Sequence, residues 1–199
     1  MRDLLLPLLL ALCALCALPA PAAAHRDLSA RKAVATARLD GEAARLDVMV
    51  WLRLAGERAT VFRARYDLDR SGALDAAESA LLGDALAPEA IGGLVVRQAG
   101  VPRTPTSAEA KARLVPDGAI EVAVLISWPL EAAVDGVFTV ELATRAGRDR
   151  RGAPVILAEL AALPPLRLDP TPAAAVLGPA PLVPGAAGLT ARIVRAEAP

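Results

Sequence analysis

Residues 45–54 read Arg-Leu-Asp-Val-Met-Val-Trp-Leu-Arg-Leu, with Leu46, Val48, Val50, Leu52 and Leu54 at every second place. Arg45, Asp47, Met49, Trp51 and Arg53 fall between them, and successive residues of a strand point to opposite sides. A period of two therefore predicts a half-buried β-strand. Residues 32–39 read as its partner, joined through Asp40-Gly41, a hairpin turn signal. Ile120, Val122, Val124, Ile126 and Trp128 repeat the alternation, and Pro129 is expected to end that run. Shorter strands are expected over 94–98, 108–114 and 137–144, with 155–160 as the last core strand. Short strands separated by turns predict a mainly β fold, an antiparallel β-sandwich over 25–168 with a helical insertion at 56–88.

The insertion carries the clearest chemistry. Residues 67–78 read Asp-Leu-Asp-Arg-Ser-Gly-Ala-Leu-Asp-Ala-Ala-Glu. A hard cation such as Ca2+ takes several oxygen ligands, and a tight loop delivers them from alternate positions. On that spacing Asp67, Asp69 and the Ser71 hydroxyl are ligands, Ala73 offers its backbone carbonyl, Asp75 acts through a water, and Glu78 closes the loop with both carboxylate oxygens. Gly72 sits where the chain must turn sharply, a conformation that a Cβ resists. Helices are expected on both sides. Phe62 and Tyr66 lie four apart on one face of the entering helix, and an Ala- and Leu-rich run containing Leu81, Leu82 and Leu86 follows Glu78 until Pro88 ends it.

These residues resemble the EF-hand calcium-binding superfamily over about residues 57–86. The resemblance implies a single EF-hand with Ca2+ as its ion. EF-hands usually occur in pairs, and dockerin-type loops do too. The only other stretch of similar appearance, Asp149-Arg-Arg-Gly152, has basic residues where ligands would be needed and no closing glutamate. A lone hand implies a structural site of modest affinity, about 10⁻⁴ to 10⁻³ M as in extracellular modules. The order of leader, strand hairpin, acidic loop and further strands also resembles the soluble periplasmic domain of HupE/UreJ-type membrane proteins. That family's membrane helices have no counterpart here, so its transport role does not carry over.

Residues 1–24 have the layout of a secretory signal peptide: Arg2, an apolar run over 4–18, and Ala22-Ala23-Ala24. Cleavage after Ala24 predicts a periplasmic or secreted protein and removes Cys13 and Cys16, both cysteines of the chain. His25, the single histidine, would then stand beside a free amine. The two could chelate copper or nickel, which makes a periplasmic metal-handling accessory the alternative reading.

Lys+Arg and Asp+Glu number 22 each, so no net field draws the chain to nucleic acid or anionic lipid. The partners to expect are the calcium ion and another envelope protein. No enzyme is expected, since no nucleophile-elbow serine or phosphate-cradling glycine loop occurs. Glu109, Glu121, Glu131 and Glu141 read as solvent faces of strands, and Arg145, Arg148, Arg150 and Arg151 as a solvated basic turn. Residues 169–199, rich in Pro and Ala, read as a C-terminal tail with no membrane span, although 189–195 has the pattern of a late strand.

Overall fold

The computed structural model describes residues 31–133, 136–145, 155–169 and 179–196. The expected leader, His25 and three of the four basic-turn arginines (Arg148, Arg150 and Arg151) lie outside them. The described elements run β1 (Arg31–Asp40), β2 (Ala43–Leu54), α1 (Gly56–Tyr66), α2 (Ala76–Ile91), β3 (Leu94–Gln98), β4 (Val101–Pro102), β5 (Ser107–Leu114) and β6 (Ile120–Leu130). They continue as β7 (Phe138–Thr144), β8 (Val155–Ala162), β9 (Leu166–Leu168), β10 (Ala180–Leu182) and β11 (Leu189–Arg195).

Two sheets form. One has six strands in the order β10-β8-β1-β2-β6-β5, the other five in the order β4-β3-β7-β11-β9. The alternating residues of β2 and β6 build the interior: Leu46, Val48, Val50 and Leu52 are fully buried, as are Val122 and Val124. Val96, Val140, Leu142 and Ile193 of the second sheet join them in one core. The result is a β-sandwich with a helical insertion between β2 and β3.

Several expectations need correction. The β1–β2 turn is Gly41-Glu42, because Asp40 already pairs with Ala43. Pro129 does not end β6, whose Pro129 pairs with Arg45. The β5 ladder reaches only Ser127, so Pro129 has a neighbouring strand on one side and its missing N–H is tolerated there. Nor is the sandwich wholly antiparallel, since β1 and β8 run parallel. Finally, 155–160 is not the last core strand, and 169–199 is not simply a tail. β11 lies between β7 and β9 with Ala191 and Ile193 buried, and β10 extends the first sheet beside β8.

Helix α2 packs on the inner side of β5 and β6, where Leu82, Leu86 and Ala90 enter the core. Its approach to β5 is very close. A Cβ on Gly83 would lie 2.9 Å from the Ala110 carbonyl carbon and 3.0 Å from both the Ala110 oxygen and the Lys111 nitrogen. Alongside, the Ser79 hydroxyl donates to the Ala112 carbonyl of the same edge strand. Pro88 does not stop the helix, which runs on to Ile91 and ends at Gly92 in the left-handed conformation, φ +45°, a common helix terminus. The buried Arg31 side chain donates to the carbonyls of Glu89 at 3.1 Å and Ala90 at 3.5 Å. It thus satisfies acceptors at the negative end of the helix dipole.

Gly83→Ala tests the seat of α2. In an open helix this change would stabilise by about 0.5–1 kcal/mol. Here the added methyl meets strand backbone, so a urea melt should show a net loss of about 1–3 kcal/mol, as overpacking does.

Candidate metal centre

Tyr66 closes α1, and the Asp67 N–H donates to the Arg63 carbonyl at 2.9 Å. The rings of Phe62 and Tyr66 stack, with centroids 6.2 Å apart, and both pack against the core. That contact sets where the loop begins. Leu74, from within the loop, packs on the same core, so the acidic segment is anchored at its middle as well as at its ends.

The bend between these anchors is held by short-range hydrogen bonds. Gly72, at φ +83°, directs its N–H to Asp67 Oδ2 at 3.0 Å. The Ser71 N–H donates to Asp69 Oδ1 at 2.9 Å. Ser71 Oγ bridges the N–H and the carbonyl of Ala73, each at 3.3 Å. Hydrogen bonding from the Ser71 N–H, and then from its hydroxyl, holds the Asp69 carboxyl below its ordinary pKa. Arg63 reaches from α1 to the Gly72 carbonyl at 2.9 Å. That contact was not read from the sequence, although Arg63 lies one helical turn before Asp67.

Glu78 is the centrepiece. Its side chain is buried, at 3 % exposure, and draws N–H donors from both ends of the loop. Oε1 accepts from Leu68 at 2.5 Å and from Asp69 at 3.3 Å, while Oε2 accepts from Asp75 at 3.0 Å. Asp75 Oδ1 in turn accepts from the Glu78 N–H at 2.8 Å, which completes a capping box at the start of α2.

The geometry sorts the expected ligands into two groups. Asp67, Asp69 and Glu78 each direct a carboxylate oxygen into one cluster, with all three atoms within 4.8 Å of one another. Asp75 stands outside this cluster and serves as the helix N-cap, while Ser71 and Ala73 are tied to each other. Asp67 Oδ1 is buried and has no hydrogen-bond partner. A buried carboxylate oxygen without a donor is costly, and a cation among these carboxylates would relieve that cost. The donor set, all oxygen, suits a hard divalent ion.

The other candidates are dispersed. Glu121 pairs with Arg53 and Arg113, Glu131 with Arg103, and Glu141 with Arg97. Hydrogen bonding from Arg113 is the main cause that lowers the Glu121 pKa. Among the described residues no helix is long and apolar enough to cross a membrane. No known family model matches the chain, and no curated protein matches it in sequence.

Two expectations follow for the metal-free protein. Asp75→Ala should cost about 1 kcal/mol in chelator, the usual loss for a helix N-cap, as read by chemical denaturation. The depressed Asp69 pKa implies a stabilising contribution that is fully present above the carboxyl's unfolded pKa and lost as pH falls through the folded value. A carboxyl NMR titration should place the Asp69 midpoint below that of an unstructured aspartate, and Ser71→Ala should move it up.

Proposed function

We propose that this chain is an exported calcium-binding protein in which the 67–78 loop acts as a single EF-hand with a structural ion. The observation that carries the reading is the convergence of Asp67, Asp69 and Glu78 carboxylate oxygens within 4.8 Å, with Asp67 Oδ1 buried and lacking any donor. Asp67, Asp69 and Glu78 would hold the ion directly, Ser71 and the Ala73 carbonyl would add oxygens, and Asp75 would contribute through water. The bound ion would supply positive charge to a loop whose acids otherwise repel one another.

The chain's own residues prepare this role. Glu78 links the loop's first residues to the N-terminus of α2 through its hydrogen bonds to Leu68, Asp69 and Asp75. A cation shared between Glu78 and Asp67 would therefore tie the end of α1 to the start of α2. Both helices already rest on the sandwich core, so the stabilisation would extend to the domain.

Ligand binding stabilises by RT ln(1 + [L]/Kd), about 1.4 kcal/mol at ten times Kd, which raises the melting temperature of a domain this size by about 3–5 °C. Calcium should raise the melting temperature of the purified protein by this margin over chelator, and titration calorimetry should give one site per chain. Glu78→Gln and Asp67→Asn should each abolish the calcium-dependent increment, whatever they do to the melt in chelator. Identical wild-type melts in calcium and in chelator, with no calorimetric heat, would overturn the reading.

A further inference from the structure

The outer face of the six-stranded sheet, opposite the side on which α2 packs, is built unlike a surface that meets only water. Residues paired across a sheet share a face, so the ladders define its rows. One row runs Ile156, Lys32, Trp51, Ala123, Lys111, and the next runs Glu159, Val34, Met49, Leu125, Glu109. The middle of both rows is largely apolar. Trp51 is 39 % exposed, and Val34, Met49 and Leu125 are partly exposed.

Charge pairing on the face separates its centre from its ends. Toward the two ends of β2 the charged residues are matched within the fold: Arg38 with Asp47, Arg45 with Asp40, and Arg53 with Glu121 and Asp117. Lys32, Lys111, Glu109 and Glu159, which surround the apolar centre, form no ion pair with any described residue. Two unmatched cations lie in one row and two unmatched anions in the row beside it.

From this arrangement we propose that the face binds a second copy of this chain, forming a two-fold symmetric dimer. A two-fold axis between the rows and parallel to them lays each row over the other row of the partner. Lys111 then meets the partner's Glu109. Lys32 is offset along the row from the partner's Glu159 by one strand, about 4.8 Å, a gap their long side chains can span. The apolar centres close on each other, Trp51 against the partner's Met49. Area is sufficient. Six strands about 4.8 Å apart, with central strands of 11 and 12 residues, present roughly the 800 Å² per partner of a standard interface. An anionic lipid surface or an acidic partner would match the lysines but would leave Glu109 and Glu159 facing like charge, so the pattern favours a copy of itself.

Sedimentation velocity of the purified protein from about 1 to 200 µM tests the proposal. The expected result is a concentration-dependent dimer, abolished by Met49→Glu in a variant whose thermal melt and circular dichroism remain those of a folded protein. The charge pairs give a second test that leaves the apolar centre intact. Lys111→Glu alone and Glu109→Lys alone should each weaken the dimer about tenfold, since each change acts twice across the symmetric interface, and the double exchange should restore it. A protein that stays monomeric throughout this range would overturn the proposal, as would a dimer indifferent to Met49→Glu and to both single exchanges. A monomer that instead sediments with vesicles rich in phosphatidylglycerol would assign the face to a lipid surface and equally overturn it.

Discussion

The seating of helix α2 against β5 is the contact on which the acidic loop depends. Gly83 brings the helix to within backbone contact of Ala110, Leu82 and Leu86 fill the space behind it, and Ser79 bonds to the Ala112 carbonyl of the same strand. Burial of each leucine stabilises by about 1.5–3 kcal/mol, and the far end of the helix is held by Arg31 from β1. Because α2 cannot slide, Glu78 on its first turn has a fixed position. The sandwich thus locates one wall of the acidic cluster before any ion is considered.

The opposite wall comes from α1, whose Phe62 and Tyr66 lie on the core one turn apart. Between these walls the three converging acids repel, and backbone donors partly compensate: Gly72 for Asp67, Ser71 for Asp69, and three further N–H groups for Glu78. Asp67 Oδ1 is the atom this network leaves without a donor. The unmet acceptor and the carboxylate cluster share one residue, and that coincidence is the ground for proposing a cation site in this loop. The ion pairs on the outer sheet face are a separate matter. Being partly exposed, they contribute little to stability individually, and their interest lies in which charges they leave unmatched.

Much of the fold was legible in the sequence because alternation is a local signal. β2 and β6, with fully buried faces from Leu46 to Leu54 and from Ile120 to Ile126, stand where the period of two put them. The helical insertion and its acidic loop were equally readable, since Gly72 and the alternate oxygens obey spacing rules within a dozen residues. Prolines misled at Pro88 and Pro129. Each argues for a stop, but α2 continues to Ile91 because Leu86 and Ala90 are held in the core, and β6 continues to Leu130 because Pro129 has a neighbouring strand on one side only. Over 169–199 the alternation at 189–195 marks the strand that forms as β11, but Pro- and Ala-rich composition hides β10 and gives no sign that β11 lies inside the second sheet.

The amino-acid sequence by itself determined the main alternating strands, the helix pair and the order of oxygen-bearing residues, all of which follow from periods and spacings that neighbouring residues enforce, but not the short β4, β9 and β10. Only the tertiary structure decided that Asp67, Asp69 and Glu78 converge. The same holds for the parallel pairing of β1 with β8, and for the row of lysines beside a row of glutamates on one face. These arrangements join residues far apart in the chain or depend on how two helices are seated. Which of many compatible pairings forms is settled by the burial of a shared core, a property of the whole chain that no local pattern encodes.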